Sequence, residues 1–307
     1  HNLWFYRKDY LKKKIEINEQ ELRAIQYDFS DFDSGNEYID PAHLYTYDLD
    51  VFGDYSLFQY INRTSTPVGK QHLADWFNAH LELKESIEQR QEAIRELSTD
   101  LEYRQQIRLF GLLYKGKPAD TNEIREWAGS PSYYRKHTLL RIIPTVVSII
   151  NLICIGSAIV GILPATVPGG VFFCFVIFSS IFSKGITKLQ ATYGKKLQIL
   201  STYADQILLT EKKEMNSPVL QQLKTELTSQ NQTASQAVRQ LSKLMNALDQ
   251  RSNLLMSTIL NGLIFWELRQ VMRIEKWKET HASDLPRWIE TIGEIDAYCS
   301  LATFTYN

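Results

Sequence analysis

Residues that could do chemistry are few in this sequence, and none of them completes a known motif. A phosphate-binding loop has the pattern G-x-x-x-x-G-K-[ST], whereas the Gly-Lys pairs at residues 69–70 and 194–195 lack the earlier glycine and the following Ser or Thr. Residues 31–36 begin like a calcium loop but depart from it at the fifth and sixth positions and lack its final glutamate. The six histidines and three cysteines show no metal-binding spacing. We therefore expect no catalytic residue, no metal site and no cofactor in this chain.

The composition excludes several classes of protein. The 307 residues include 34 basic and 35 acidic side chains, so the net charge is -1. A strongly basic nucleic-acid-binding module is therefore excluded, although a local basic patch is not. Three cysteines are too few for a secreted disulfide scaffold. Because the sequence begins with His1 rather than Met, we expect it to be a piece of a longer protein.

One long segment contains no charge, although charged residues make up 22% of the chain. Residues 142–183 have no Asp, Glu, Lys or Arg, and two apolar stretches, 139–163 and 171–182, dominate the region. Between them, residues 164–170 contain two prolines and two glycines, which are typical of a turn. The pattern predicts an apolar helical hairpin that reverses at Pro164–Gly170.

Basic residues flank this hairpin only at its two open ends, as the positive-inside rule expects of a hairpin that enters a membrane from the cytoplasm. The alternative is a hairpin buried in a large soluble core or in an oligomer. We expect Ser148 and Asn151 to face the partner helix, because an amide that faces lipid lacks a hydrogen-bond partner. The residues assigned to the membrane hairpin are Leu139, Ile149, Asn151, Pro164, Gly170, Phe175 and Phe182.

The rest of the chain has helical rather than strand periodicity. We predict a helix over residues 3–27, a short helix capped by Asp54, and a helix that Thr66-Pro67 begins. Further predicted helices cover 85–97, 101–114, a segment capped by Asp120 or Thr121, 217–248, 252–277 and 284–302. The expected fold is all-α, an elongated helical bundle with an inserted apolar helical hairpin.

The segment at residues 48–76 resembles the start of the core, or lever, domain of the MutS family of DNA mismatch-repair ATPases. Residues 87–97 and 292–302 resemble two further helices of that domain, so the resemblance brackets most of the chain. The motif residues are Asp50, Phe52, Ser56, Leu57, Phe58, Asn62, Arg63, Thr64, Thr66, Pro67, Gly69 and Trp76.

The types of the motif residues indicate a structural role. Leu57, Phe58 and Trp76 are spaced to bury one face of two consecutive short helices. Asn62, Arg63 and Thr64 would then satisfy backbone groups at the helix ends. The alternative for Arg63 is direct contact with a nucleotide or with DNA.

The resemblance implies a non-catalytic core region that couples the ATP state to a distal contact with DNA or a partner. ATP and Mg would belong to an ATPase domain outside this chain, and that domain would also form a homodimer. The full-length protein would then be an ATPase. Double-stranded DNA is an expected partner, bound weakly by this part of the protein.

The sequence departs from the family where a DNA-gripping clamp is expected, because the apolar hairpin stands there instead. It therefore resembles most closely a membrane-attached, MutS-like subset. The alternative function is a membrane-anchored helical scaffold or coupling protein with no role in mismatch repair. We expect a location at the cytoplasmic side of the inner membrane, or in the soluble cytoplasm if the hairpin is buried in protein.

The expected domain organisation has four parts. Residues 1–47 would form an N-terminal helix and an acidic loop, and residues 48–130 the first part of the MutS-like core. Residues 131–200 would form the hairpin and its extended helix. Residues 201–307 would form the returning lever helices, which lead towards the ATPase domain.

Overall fold

The computed structural model describes residues 2–113, 118–228, 232–249 and 254–306. These residues form α-helices and one short 3-10 helix, Asn36–Tyr38. They contain no β-strand, and the nearest approach to one is an isolated bridge between Thr228 and Thr233. The predicted all-α fold with an apolar hairpin is therefore confirmed over the described part of the chain.

The α-helices are numbered in chain order. They are α1 (Asn2–Ile25), α2 (Leu57–Ile61), α3 (Pro67–Asn78), α4 (Lys84–Ser98), α5 (Leu101–Leu113), α6 (Pro118–Gly129), α7 (Thr138–Ile159), α8 (Thr166–Lys212), α9 (Pro218–Glu226), α10 (Ala234–Asp249), α11 (Leu254–Ile264), α12 (Trp266–His281) and α13 (Asp284–Tyr306).

Local capping chemistry explains two of the helix starts. The Thr66 hydroxyl accepts a hydrogen bond from the Gly69 N–H, and Pro67 occupies the first helical position of α3, as predicted. The cap of α2 is Ser56 rather than Asp54, because the Ser56 hydroxyl accepts the Gln59 N–H. The Gln59 side chain in turn accepts the Tyr55 N–H, an exchange close to a capping box.

Three predicted helices differ from those observed. The helix predicted to be capped by Asp120 or Thr121 begins earlier, at Pro118, whose fixed φ suits a first helical position. The helix predicted over 217–248 is divided into α9 and α10. The helix predicted over 252–277 is divided into α11 and α12 at Phe265, which adopts left-handed backbone angles, φ 52° and ψ 51°.

The chain divides into two compact units. Unit 1 comprises residues 1–124, 199–236 and 284–307, so it combines the motif segment with the last helix. Unit 2 comprises residues 125–198 and 237–283, and it contains the apolar hairpin together with α11 and α12. Each unit therefore consists of segments distant in sequence, which only tertiary packing brings together.

The core of unit 1 packs α2 and α3 against α13. Phe58, Leu73 and Ala297 are completely buried, and Phe52 packs with Phe58 at a ring-centroid distance of 5.1 Å. Trp76 lies at the edge of this core and is only partly buried. Its ring lies 4.7 Å from that of Tyr298, and the guanidinium of Arg90 covers it.

We expect Leu73→Ala to lower the free energy of unfolding by about 2–5 kcal/mol, because the deletion leaves a cavity in a closed core. Urea denaturation followed by circular dichroism measures this quantity. The matched control is Leu83→Ala, since Leu83 is 70% exposed and its truncation should change the free energy by less than about 0.5 kcal/mol. A loss below about 1 kcal/mol for Leu73→Ala would contradict the packing.

Candidate functional site

The most connected polar group of the motif region is a carboxylate on α13. Asp296 is buried and accepts hydrogen bonds from the backbone N–H groups of Ser65 and Thr66, both at 2.8 Å. The hydroxyls of the same two residues donate to it at 3.0 and 2.9 Å. The Asp296 carboxylate thus holds the residues that begin α3. We call Ser65, Thr66 and Asp296 the Asp296 junction.

Two glycines allow α3 and α13 to approach closely enough for this junction. A Cβ atom on Gly69 would lie 2.4 Å from the Asp296 Oδ2 atom. A Cβ atom on Gly293 would lie 2.4 Å from the Cγ1 atom of Val68. Gly69, which belongs to the sequence motif, is therefore required by helix packing rather than by phosphate binding.

Burial raises the pKa of Asp296 to about 6, and the hydrogen bonds from Ser65 and Thr66 oppose this shift. In the unfolded chain an Asp carboxyl has a pKa of about 3.9. The folded protein therefore binds this proton more tightly than the unfolded chain does. The contribution of Asp296 to stability is present below about pH 4 and is lost as the pH rises through about 6.

Arg63 is buried within unit 1 and is fully engaged there. Its guanidinium lies 3.4 Å from the ring centroid of Phe32, and its Nε atom donates to Glu21 at 2.8 Å. Arg108 donates to the same Glu21 carboxylate. Burial lowers the pKa of both arginines, and Glu21 opposes that shift. This placement favours the structural role of Arg63 over contact with a nucleotide or with DNA.

The neighbouring motif residues satisfy backbone groups. The Asn62 side chain accepts from the N–H and hydroxyl of Thr64 and donates to the Asp33 carbonyl. The Ser300 hydroxyl on α13 accepts the Arg63 N–H at 2.8 Å and donates to the Ile61 carbonyl. The connection between α2 and α3 is therefore bonded to α13 at Ser300 as well as at Asp296.

Some motif residues are placed differently from expectation. Leu57 is exposed rather than buried, because it occupies the first position of a helix whose inner face is formed by Phe58 and Ile61. Asp50, for which no burial was predicted, is exposed and has a positive φ of 48°. Trp76 is only partly buried, at the edge of the core.

A cavity of about 350 Å³ adjoins the junction, but its charges are mixed. Arg63, Arg108 and Lys70 line it together with acidic residues from α1 and the following loop. The Lys70 ammonium pairs with Asp33 and Glu37, so it is not free for an anion. Among the described residues no cluster of His, Cys, Asp and Glu has the form of a metal site.

Asp296 is not among the site residues that the sequence predicts, although it lies in a segment that resembles a helix of the family. The available signal was one acidic residue set among Ile292, Ile295 and Ala297, since a carboxylate on an apolar helical face needs internal hydrogen bonds. Glu21 and Phe32 were missed because they lie before the motif and carry no local pattern.

The second candidate site is the apolar hairpin of unit 2, formed by α7 and the first part of α8. The reversal lies at residues 160–165, earlier than predicted, and Gly170 lies inside α8. The reason is Gly161, whose φ of 80° ends α7 in a Schellman motif. In that motif the Ile162 and Gly161 N–H groups bond to the Ser157 and Ala158 carbonyls. Pro164 lies within the reversal.

The hairpin buries the polar side chain of Asn151 and exposes many of its apolar side chains. Asn151 is buried, and its amide donates to the carbonyls of Gly262 and Leu263, both at 3.0 Å. Its partner is therefore the end of α11, whereas the sequence predicted that it would face the other helix of the hairpin. Leu139 and Ile149 are exposed.

The hairpin phenylalanines enclose the break between α11 and α12. The ring of Phe265, which is buried, lies 6.2 Å from that of Phe175, 5.8 Å from that of Phe178 and 6.4 Å from that of Phe182. No local pattern at Phe265 indicated this break, because the sequence there continues an apolar helix.

We expect Asp296→Ala to lower the free energy of unfolding by about 2–6 kcal/mol. Two buried N–H groups lose their acceptor, at about 1–3 kcal/mol each. The matched control is Asp296→Asn, whose amide oxygen can replace Oδ2 while its NH₂ group donates to the Ser65 hydroxyl. Equal losses in the two variants, measured by urea denaturation at pH 7, would contradict the hydrogen-bonded junction.

The pKa of Asp296 predicts a specific pH dependence. The wild-type free energy of unfolding should receive a contribution that decreases as the pH rises from about 4 to about 6. Asp296→Asn removes the ionisable group, so the difference between wild type and this variant should change over that range. Urea denaturation at intervals between pH 4 and pH 7 measures it, and a constant difference would contradict the raised pKa.

Comparison with known proteins agrees with this arrangement. The family model for MutS domain III matches residues 45–302. No curated protein matches the chain, and no solved structure does. The matched region begins before Phe52 and ends after Ser300, so it contains the whole Asp296 junction together with the motif residues. Since the match covers most of the sequence, this chain belongs to the MutS family and contains its domain III.

Proposed function

We propose that this chain is the non-catalytic core of a MutS-like ATPase, in which it couples the ATP state to a distant contact with DNA or a partner. The observation that carries the proposal is the Asp296 junction. It joins Ser65 and Thr66, the two residues that precede α3, to α13 through four hydrogen bonds, across 230 and 231 positions of sequence. A displacement of α13 would therefore have to move the start of α3 or break buried hydrogen bonds.

The direction of this coupling rests on the family. In the MutS family an ATPase domain follows the helix that α13 resembles, so ATP, Mg and homodimer formation would belong to that domain. Double-stranded DNA would be contacted weakly by this part of the protein, because a net charge of -1 provides few phosphate contacts.

A second function is supported by the hairpin, namely attachment to a membrane. α7 and the first part of α8 are long and apolar enough to cross a bilayer, by length and composition. Within unit 2 their outer faces carry exposed side chains such as Leu152, Ile177 and Ile181, which are 73%, 69% and 67% exposed. A soluble core would cover such residues, whereas acyl chains would solvate them. The basic residues at the open ends support a cytoplasmic location for the rest of the chain.

The coupling proposal predicts a change in α3 when the full-length protein binds nucleotide. Hydrogen exchange of the amides of Gly69 and Lys70 should differ between the nucleotide-free and ATP-analogue-bound states, because α13 holds the start of α3. Mass spectrometry of peptides that cover residues 66–78 measures this exchange. Asp296→Ala should weaken the nucleotide-dependent difference while nucleotide affinity is retained. Unchanged exchange throughout residues 45–302 of the wild type would contradict coupling.

Membrane attachment predicts that the protein floats with liposomes in a density gradient. The variant Leu152→Lys, Ile177→Lys and Ile181→Lys should lose this flotation, because charges at the centre of a bilayer are unfavourable. The matched control is Gln91→Lys, Gln222→Lys and Gln240→Lys, which adds the same charge at exposed polar positions. A wild-type protein that remains soluble as an oligomer without detergent would contradict attachment and support a buried hairpin.

A further inference from the structure

The small net charge of the chain hides a separation of charge between its two units. By sequence, unit 2 contains 15 basic and 5 acidic residues, a net charge of +10. Unit 1 contains 19 basic and 30 acidic residues, a net charge of -11. Unit 2 also contains the apolar hairpin, so an excess of positive charge and an exposed apolar element occur in the same unit.

Five exposed cations of unit 2 lie around the open end of the hairpin. The Glu275 carboxylate on α12 accepts hydrogen bonds from the backbone N–H groups of residues 133–135, just before α7, at 2.9, 3.1 and 2.7 Å. A Cβ atom on Gly185 of α8 would lie 2.8 Å from the Tyr134 hydroxyl. These contacts bring α8, α12 and the chain that enters α7 to one level. The exposed cations next to them, which we call the basic collar, are Lys136, Arg141, Lys184, Arg273 and Lys276.

The collar cations form no ion pair with the described residues of the chain. The nearby acidic groups are engaged elsewhere, because Glu275 accepts the three backbone N–H groups and Glu279 pairs with Arg135 at 2.9 Å. Glu267, further along α12, is buried and accepts a hydrogen bond from the Ser257 hydroxyl at 2.9 Å. The charge of the collar is therefore available to an anionic partner.

The distance from the collar to the reversal of the hairpin matches the thickness of a bilayer interior. Arg141 lies 18 residues before Ile159, the last residue of α7, and Lys184 lies 18 residues after Thr166, the first residue of α8. At 1.5 Å per residue both separations are about 27 Å, close to the ~30 Å of the hydrocarbon core. No Asp, Glu, Lys or Arg occurs between these two cations. A hairpin inserted as far as its reversal would therefore place the collar at the phosphate groups of one leaflet.

The surroundings of the collar favour a lipid surface over a nucleic acid. Tyr133 is 64% exposed at this level, and its ring lies 5.6 Å from that of His137. Tyrosine is enriched where a protein meets the headgroup region of a membrane. Phosphates of duplex DNA would also be attracted to the collar. DNA, however, would leave the apolar faces of the adjoining hairpin exposed to water, whereas a phospholipid provides both phosphates and acyl chains.

We propose that the basic collar binds the headgroups of anionic phospholipids, so that unit 2 selects anionic over zwitterionic lipids around the hairpin. This inference rests on the proposed attachment to a membrane. It adds the chemical class of the lipid and the residues that recognise it.

The test uses the full-length protein reconstituted in phosphatidylcholine membranes that contain a trace of spin-labelled phosphatidylglycerol or spin-labelled phosphatidylcholine with the same acyl chains. Electron spin resonance measures the fraction of each lipid whose motion is restricted by contact with the protein, and the two fractions give the relative association of the lipids. The collar variant combines Lys136→Gln, Arg141→Gln and Lys184→Gln. The matched control removes the same charges at exposed positions of unit 1 and combines Lys12→Gln, Arg7→Gln and Lys212→Gln. Circular dichroism checks that each variant retains its helicity.

We expect the wild-type protein to associate with phosphatidylglycerol at least about threefold more strongly than with phosphatidylcholine, because basic residues near a membrane surface attract anionic lipids. The collar variant should lose this selectivity and the control should keep it. In wild type the selectivity should also fall at about 1 M NaCl, where charges are screened within a few ångströms. Because the salt series needs no variant, unchanged selectivity at high salt would by itself contradict the proposal.

The other outcomes separate the collar from the hairpin. Equal restriction of both lipids by wild type would overturn the collar and leave membrane attachment intact. The absence of a restricted population for either lipid would overturn attachment and collar together. Selectivity retained in the collar variant would assign it to other residues and overturn the proposal. A collar variant that loses affinity for fluorescent duplex DNA but keeps wild-type lipid selectivity would assign the collar to nucleic acid and would also overturn it.

Discussion

Unit 1 depends on one buried carboxylate. Asp296 would be unfavourable on an apolar helix unless its oxygens were hydrogen-bonded, and the donors come from Ser65 and Thr66 at the start of α3. This need fixes the position of α3 on α13, and the missing side chains of Gly69 and Gly293 leave the space for it. The apolar core packs around this contact, and the hydrogen bonds specify the geometry of the contact. In this way a polar group determines the register of two otherwise apolar helix faces.

A second group of charged residues binds α1, which lies outside the matched family region, to the rest of unit 1. Glu21 on α1 accepts from both Arg63 and Arg108, while Phe32 covers the Arg63 guanidinium. The family match begins at residue 45, yet these two earlier residues complete the surroundings of a motif arginine. Since an unpaired buried guanidinium is unfavourable, α1 is an integral part of unit 1 rather than an appended segment.

The hairpin of unit 2 places its side chains differently from the helices of unit 1. Asn151 turns inwards to the carbonyls at the break between α11 and α12, whereas many large apolar side chains of the hairpin, such as Leu152, Ile177 and Ile181, are exposed. In water this arrangement leaves a large apolar surface exposed. The chain therefore combines a conventional apolar core in unit 1 with an exposed apolar hairpin in unit 2.

The sequence by itself determined features that depend on neighbouring residues: the start of α3 at Thr66-Pro67, the all-α class and the uncharged hairpin. The sequence also indicated the family, because the motif residues lie in one short segment, 48–76. Only the tertiary structure decided the role of Asp296, the partner of Asn151 and the break at Phe265. Each of these depends on a hydrogen-bond partner or packing group from a distant segment, and periodicity along the chain holds no information about such partners. Leu57 and Trp76 show the same limit, since helical spacing predicts which face is apolar but not how far the neighbouring helix covers it.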